Sequence, residues 1–530
     1  MTIAIDFGTS NTVITRLNPD IELPENQGEI VKLAGIAQTN LLMPPVIPSL
    51  LYVKDSDTAE VIVGQAVRDK GLDIANNPRF FRNFKRGIGT DIQGYLPQID
   101  EKTVTFEQIG EWYLGQIIPQ LGQQESLIVT VPVDSFESYR SWLNEVCQKW
   151  DIPQIRIIDE PTAAALGYGS EDDRYLLVVD FGGGTIDFSL VELDLGQSKQ
   201  AQGFILKWGE NLFGDNSAQK PKLAKVLGKA GANLGGCDLD NWLLDYFQET
   251  QGVEKNSLTN RLVERLKIQL SSVEEAEEVF FDDVNLDTYE FKLQREKFEQ
   301  ILTDNQFFTK LDSLMSNVLQ QGQSNGINKN NIDRVLLVGG GGQIPAVQSW
   351  LQNYFPEDKI KNDRPFDAIA MGALKLEQGL EIKDFLYHSY GIRYWNRREK
   401  RHDWHTIIPQ GQPYPMKQPI ELVLGASIDN QPSIELIIGE LAEENMNTEV
   451  YFDGDRLVTR NVEVAGKNVQ ALNDSGSGKT IANLTPFGKP GNDRIKVLFM
   501  VDNDRCLKIT VEDLLTDETL LENAIVAQLS

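Results

Sequence analysis

Along residues 3–17, IAIDFGTSNTVITRL, apolar and polar positions alternate on either side of a short break at Gly8-Thr9-Ser10. A period of two marks a half-buried strand, so the segment predicts two strands joined by a tight turn. Residues 178–193, VVDFGGGTIDFSLVEL, repeat the design. Ile186, Phe188 and Leu190 point one way, Asp187, Ser189 and Val191 the other. Gly182, Gly183 and Gly184 are therefore expected in a hairpin turn, not at a helix N-terminus. Asp-Phe-Gly occurs in both places, at 6–8 and 180–182. That spacing far exceeds the ~20–50-residue period of a solenoid and predicts two duplicated α/β halves.

The same reading extends along the chain. SLIVTVP (126–132) is a buried strand, and Ser135 to Lys149 gives a helix with Phe136, Tyr139, Leu143 and Val146 on one face. IRIIDEPTAAALGYG (155–169) reads as a strand, an acidic corner and an alanine-rich helix. RVLLVGGGGQIPAVQSWL (334–351) reads as a strand, four glycines and a helix with Pro345 in its first turn. Residues 238–320 are helix-rich and charged, which suggests a subdomain. From Tyr390 onward short alternating runs between turn residues predict an all-β module. The expected division is 1–378, a polar connector 379–389, and 390–530.

Composition sharpens this picture. With 530 residues the chain is too long for one core. A net charge of −28 argues against non-specific binding to nucleic acid or anionic membranes. Cys147, Cys237 and Cys506 are far apart, with no CxxC pair, as in a reduced cytoplasmic protein. No apolar run reaches the ~18–20 residues of a membrane span.

The paired hairpins carry the candidate chemistry. Glycine lets a tight turn bring backbone N–H groups close to an anion. Asp6 and Asp180, one at each strand end, would repel the same phosphates unless a divalent cation lay between. Magnesium suits that position because it binds through carboxylates, waters and phosphate oxygens. Two other stretches do not hold up. SGSGKT (475–480) has Asn473 where a phosphate loop needs glycine. His402 and His405 flank Asp403 in a basic run without an evident third metal ligand, as at a solvated hairpin tip.

Taken in order, the two DFG hairpins, DEPTAAALGYG, LGGCDLD (234–240), ERLKIQLSS (264–272) and VGGGGQIP (338–345) resemble the heat-shock 70 kDa chaperone family. SIDNQPSIELIIGEL (427–441) and LTPFGKPGNDRIKVLFMVDNDRCLKITVED (484–513) resemble the peptide-binding part of those chaperones. The resemblance implies an α/β actin-like (ribonuclease H-like) duplicated ATPase domain followed by an all-β sandwich domain. It implies ATP or ADP with Mg2+, and K+, as cofactors, slow hydrolysis that times peptide release, and an unfolded polypeptide as partner. A J-domain co-chaperone and a nucleotide exchange factor belong to the same expectation. In the family a helical lid follows the sandwich; with the sequence ending at Ser530, a lidless relative is expected.

By resemblance, Gly8, Thr9, Ser10, Gly182, Gly183, Gly184 and Thr185 cradle the phosphates. Asp6, Glu160 and Asp180 hold magnesium and orient the attacking water, with Asp187 supporting them. Glu264, Lys267 and Ser271 grip the nucleoside from one helix face, and Gly339, Gly340 and Gln343 approach it from the other side. Ile392, Trp395, Leu424, Ser427, Ile434 and Leu436 line the peptide pocket. Three positions depart from the family. Arg68 stands where a catalytic lysine is usual, and a planar guanidinium does not simply replace a compact ammonium. Gln343 replaces an arginine that stacks on adenine. The connector GLEIKDFLYHS keeps Asp384 but lacks the family's leucine run. An actin-like scaffold or filament protein with little turnover shares the hairpins, but a C-terminal β module has no place in it or in a sugar kinase.

Overall fold

The computed structural model describes the chain apart from residues 19–27, 41–42, 75–76, 91–95, 133–136, 151, 170–172, 195–204, 208–222, 283–286, 379–385, 387, 397–400, 411, 413, 442–445, 454–455, 464–468, 473–478, 503–505 and 530. Most of the connector and the core of SGSGKT thus lie outside the described residues. Two compact units are built, one from Met1–Ile382 with Thr448–Arg460 and one from Lys383–Asn447 with Asn461–Ser530.

In the first unit both alternating segments are antiparallel hairpins. Thr2–Phe7 pairs with Asn11–Leu17, and Tyr175–Phe181 pairs with Ile186–Asp194. Each hairpin seeds one sheet, and each sheet grows by the same rule. Ser126–Val131 adds parallel to the first strand of the first hairpin, and Gln154–Asp159 adds parallel to that. Arg334–Val338 and then Ile360–Lys361 add parallel to the first strand of the second. On the other flank, Met43–Pro48 and Leu223–Ala232 pair antiparallel with the returning hairpin strands. The two sheets thus share one strand order about their hairpins, consistent with the duplication that sequence spacing suggests.

Helices Glu160–Tyr168 and Ala368–Leu374 join the halves. They are apolar all round, as befits helices buried on every side. A Cβ on Gly372 would lie 1.8 Å from the Ala163 carbonyl oxygen, and one on Gly167 2.2 Å from that of Ala368. Only glycine permits so close a crossing. Around it, Ala4, Ile128 and Ile158 of one sheet and Val178, Leu336 and Val338 of the other share one core. The 238–320 region holds helices Gly236–Gln251, Ser257–Leu270, Arg295–Asp304 and Phe307–Ser324. It also contains a hairpin, Glu275–Asp282 with Asp287–Gln294, which the charge-dense sequence conceals.

The second unit contains only strands among its regular elements described here. Two four-stranded sheets place Ile392, Ile408 and Ile438 against Val497, Phe499 and Ile509 in one apolar core.

Candidate functional site

The two hairpin turns close with the same hydrogen bond. Gly8 N donates to Asn11 O at 3.0 Å, and Gly182 N to Thr185 O at 3.0 Å. Their tips face each other. A Cβ on Gly183 would sit 2.0 Å from Ser10 Oγ, and one on Gly184 2.6 Å from Thr9 Oγ1. A side chain is excluded at Gly183 and Gly184, whose backbone packs against the Ser10 and Thr9 hydroxyls. The first tip is anchored by Ser49, whose hydroxyl donates to Gly8 O at 2.7 Å and whose N–H donates to Ser10 O. The second tip receives the start of helix Gly236–Gln251: Gly236 N donates to Gly182 O and Cys237 N to Gly183 O, at 3.0 and 2.9 Å.

Beside the tips the two sheets bring carboxylates together. Asp6 accepts a 2.8 Å hydrogen bond from Thr130 Oγ1. Glu160 is the first residue of its helix, set there by Asp159, whose carboxylate accepts from Thr162 N at 2.7 Å as N-cap. Asp180 and Asp187 lie opposite each other across the second hairpin, and both are buried. Burial, then the charge of Glu160, pushes the Asp6 carboxyl up to about 7, against the pull of Lys85. Asp180 is raised well above the ordinary range by burial, Glu160, Asp187 and Asp6. Crowded carboxylates titrate this way when like charges share a low-dielectric site. Such a cluster favours a cation.

Lys85 supplies one, and sequence reasoning missed it. Its Nζ lies 3.1 Å from Glu160 Oε1 and about as far from two ring centres as cation–π contacts allow, 5.6 Å over Phe7 and 5.8 Å over Tyr139. Arg68, expected at this place, is elsewhere. Its Nη2 lies 3.4 Å from Glu264, which also faces Arg82 at 3.7 Å. A four-residue turn has no periodicity to reveal its facing. In FFRNFKRGIG the lysine stands among Arg82, Asn83 and Arg86, so composition does not single it out.

Glu264, Lys267 and Ser271 do share a face of helix Ser257–Leu270 and its C-cap. Burial would raise the Glu264 carboxyl, but Arg68, Arg82 and Lys267 outweigh it and hold it low. Lys267 pairs with Asp240 at 2.8 Å and donates to Gly236 O. Glu264 and Arg68 line a cavity of about 330 Å³ together with Gln38, Gln65, Arg261 and Arg265. Across the site, Gly339 has φ +79°, and a Cβ there would meet Phe181 O at 2.2 Å and Asp180 Oδ1 at 2.9 Å. Gly340 stands over Phe366, and Gln343 Nε2 is buried without a partner among the described residues.

The peptide-pocket candidates do not form one surface. Ile392, Ile434 and Leu436 are buried in the core of the second unit, and Leu424 packs on its edge. Trp395 is exposed beside His402, and Ser427 lies in an exposed turn. Strand alternation explains the split, because inward positions of a two-layered β unit meet each other before any ligand.

Sequence comparison agrees with this geometry. A sequence model of the family described as Hsp70 protein matches residues 120–202 and 224–421. The "Chaperone protein DnaK" of Thermosipho melanesiensis and that of Thermosipho africanus are each 27% identical over 97% of this chain and 78% of their own length. Two nucleotide-type hairpins on duplicated sheets, followed by an all-β unit, define the class. The chain belongs to the Hsp70 family. It is an ATP-dependent molecular chaperone that hydrolyses ATP. Members bind ATP and ADP with magnesium, and the residues present fit such a group: clustered carboxylates, a glycine-backbone cradle and the orphaned buried Thr162 Oγ1 and Gln343 Nε2. Among the described residues no helix is long and apolar enough to cross a membrane.

Proposed function

We propose that ATP is hydrolysed between the two hairpins, in an actin-like domain spanning 1–378, and that the residues from 390 form a β-sandwich for extended apolar peptide. The observation that carries this reading is the matched pair of turns, closed by identical hydrogen bonds and facing each other beside a buried carboxylate cluster. Asp6, Glu160 and Asp180 would hold magnesium. A magnesium ion held by these carboxylates would supply neutralisation of the phosphate charge. Backbone N–H groups of Thr9, Ser10, Gly183 and Gly184 bind the phosphate oxygens, and Thr185 flanks them. Glu160 and Asp180 orient the attacking water and hold its proton by hydrogen bonding. Alignment and fixed dipoles supply the acceleration, since little covalent work falls to the protein.

The nucleoside reading rests on Glu264, Lys267 and Ser271 across from Gly339, Gly340 and Gln343. For peptide, the supporting feature is the end of the second unit where three connections meet. Gly425 pairs with Asp493, Ile495 with Asp513, and Ala426 bridges Pro490. Ile428 and Phe487 stand 64% and 58% exposed there. Leu424 and Ser427 adjoin them, while Ile392, Ile434 and Leu436 belong to the core of the unit. An unfolded polypeptide in the cytoplasm is the partner this implies, with a J-domain protein and an exchange factor as helpers.

Asp180→Asn tests the ATPase site, because it removes charge while keeping shape. Turnover is expected to fall at least ~10²-fold, about 2.7 kcal/mol of transition-state stabilisation. Parental turnover in this variant would sink the hairpin reading.

A further inference from the structure

We propose that the hairpin of residues 389–408 is a docking surface of its own, whose occupant is an extended polypeptide segment rich in carboxylates. The surface uses neither Ile428 nor Phe487, so it stands whether or not peptide also meets that end. Its charge runs against the rest of the molecule. In a chain of net charge −28, Arg393, Arg397, Arg398, Lys400 and Arg401 here face only Glu399 and Asp403 along the sequence. The two strands that flank 397–400 form the surface.

Strand Ser389–Asn396 pairs with Arg401–Ile408 on one side and with Ile438–Leu441 on the other. Its inner half is core: Tyr390 and Ile392 are buried, as are Ile407 and Ile408 on the returning strand. Beyond Ile392 burial stops. Arg393, Tyr394 and Trp395 are exposed, and so are Arg401, His402 and His405. Side chains alternate between faces, and directly opposed residues share one. Ile392 marks the core face. Arg393 with its partner Trp404, and Trp395 with its partner His402, therefore lie on the outer face. The Trp395 and His402 rings meet edge to face, 5.1 Å apart at 76°. Trp404 lies over glycine: a Cβ on Gly439 would sit 2.5 Å from its ring. A guanidinium, an imidazole and two indoles thus make one outward patch. A carboxylate suits the guanidinium, and its apolar neighbour in a peptide suits an indole.

The hairpin also presents a strand edge. Among the described residues Arg401–Ile408 is the border of its four-stranded sheet. Arg393 N donates to Ile437 O, so the peptide groups of Gly391 and Arg393 turn toward Ile438–Leu441. Those of Ile392, Tyr394 and Asn396 turn to their partners His405, Asp403 and Arg401. The peptide groups of His402, Trp404 and Thr406 are then directed to the border. Asp403 Oδ1 accepts the Trp404 N–H at 2.8 Å, a polar guard on that edge. An added strand would pair at His402 and Thr406, on either side of the guard. Its side chains would meet Arg401 on one face and the Arg393 patch on the other. Carboxylate-rich polypeptide answers both features, charge and edge. Nucleic acid answers only the first.

The probe is a fluorescein-labelled peptide of alternating Glu and Leu, with its Gln–Leu counterpart as control, titrated with the full chain and read by anisotropy. The overall field of an acidic chain opposes the Glu peptide, so any preference for it comes from a local patch. The Glu peptide should bind about 10-fold more tightly at low salt, and the gap should close as salt rises. Arg393→Glu with Arg401→Glu should abolish the preference while sparing the Gln peptide. If that variant melts below the parent, Arg393→Gln with Arg401→Gln replaces it, with the same loss of preference expected. Thr406→Pro removes a border N–H and should weaken both peptides about 5-fold. Equal binding of the two peptides by the parent, or a preference that survives in the arginine variants, overturns the proposal. So does parental affinity in Thr406→Pro, which would remove the edge. An oligothymidylate that binds more tightly than the Glu peptide, and loses affinity in the same arginine variants, would assign the surface to nucleic acid and overturn it as well.

Discussion

At single positions the site is defined as much by what is missing as by what is present. Gly235 is extended, a backbone shape open to any residue, yet a Cβ there would lie 2.5 Å from the C and O of Gly183 and the N of Gly184. Backbone cannot swing aside as a flexible side chain can, so Gly235→Ala must push helix Gly236–Gln251 off the second hairpin. The N–H groups proposed to face phosphate move with it. We expect ATP affinity to fall about 10-fold, about 1.4 kcal/mol. Titration with ATP checks this; parental affinity would mean the tip geometry is not set by this contact. Gly235 contributes no side-chain donor or charge, only its N–H to Asp238 Oδ2 at 2.8 Å, so a search for chemistry-bearing side chains would not select it. Lys85 escaped for a related reason: its facing is set by Phe84 and Gly87 packing at long range, not by any local period.

At the scale of elements, strands were the legible part. TIDFSLVEL alternates although both faces of Ile186–Asp194 are buried: Ile186, Phe188 and Leu190 join one core, Val191 and Leu193 another, and Asp187 and Ser189 are buried polar residues. EAEEVFFDDVNLDTYEFKLQ does not declare its hairpin so clearly, because Val279 and Phe281 lie exposed among carboxylates on its outer face. Charge can nonetheless fasten strands. Arg494 and Asp513, both buried, pair across neighbouring strands through two 2.7 Å hydrogen bonds, and Arg494 also donates to Thr485 O and Pro486 O. It ties Lys479–Gly488 to the sheet that holds Asp493–Val501. Burial alone would raise the Asp513 carboxyl, but Arg494 and the Leu515 N–H outweigh it and hold it below the ordinary value. Because the folded-state value is the lower one, this stability is fully present above pH ~4, the ordinary aspartate value, and drains away as pH falls through the depressed one. Arg494→Met strands a buried carboxylate and should cost about 3–5 kcal/mol near neutral pH. A denaturant melt of the full chain at pH 7 measures it. A midpoint equal to the parent's would show that the pair is not stabilising.

For the whole molecule, the two units pose different chemical problems. Hydrolysis needs fixed geometry, and at the proposed site glycine contacts between the hairpin tips and helix Gly236–Gln251 would supply it. Peptide capture needs apolar surface held open to water, and folding works against that, because alternation sends Ile392, Ile434 and Leu436 into the core. The residues left outside are those whose strands end: Ile428 after Ile420–Gly425, and Phe487 near the close of Lys479–Gly488. Ser427 N and Ile428 N both donate to Gln431 Oε1, at 2.7 and 3.4 Å, which fixes the turn that presents Ile428. A preformed turn spends little entropy on binding, so its exposed side chain can contribute most of its burial energy. Burying a leucine-sized side chain is worth roughly 1.5–3 kcal/mol. Ile428→Ser and Phe487→Ser should therefore each weaken binding of an extended apolar peptide about 10-fold, near 1.4 kcal/mol. Neither side chain supports the core, so the melt should stay at the parent's midpoint. Fluorescence anisotropy with a labelled Leu-rich peptide reads the affinity. If both variants bind as the parent does while remaining folded, peptide does not meet the molecule at this end, and the assignment of Leu424 and Ser427 fails with it.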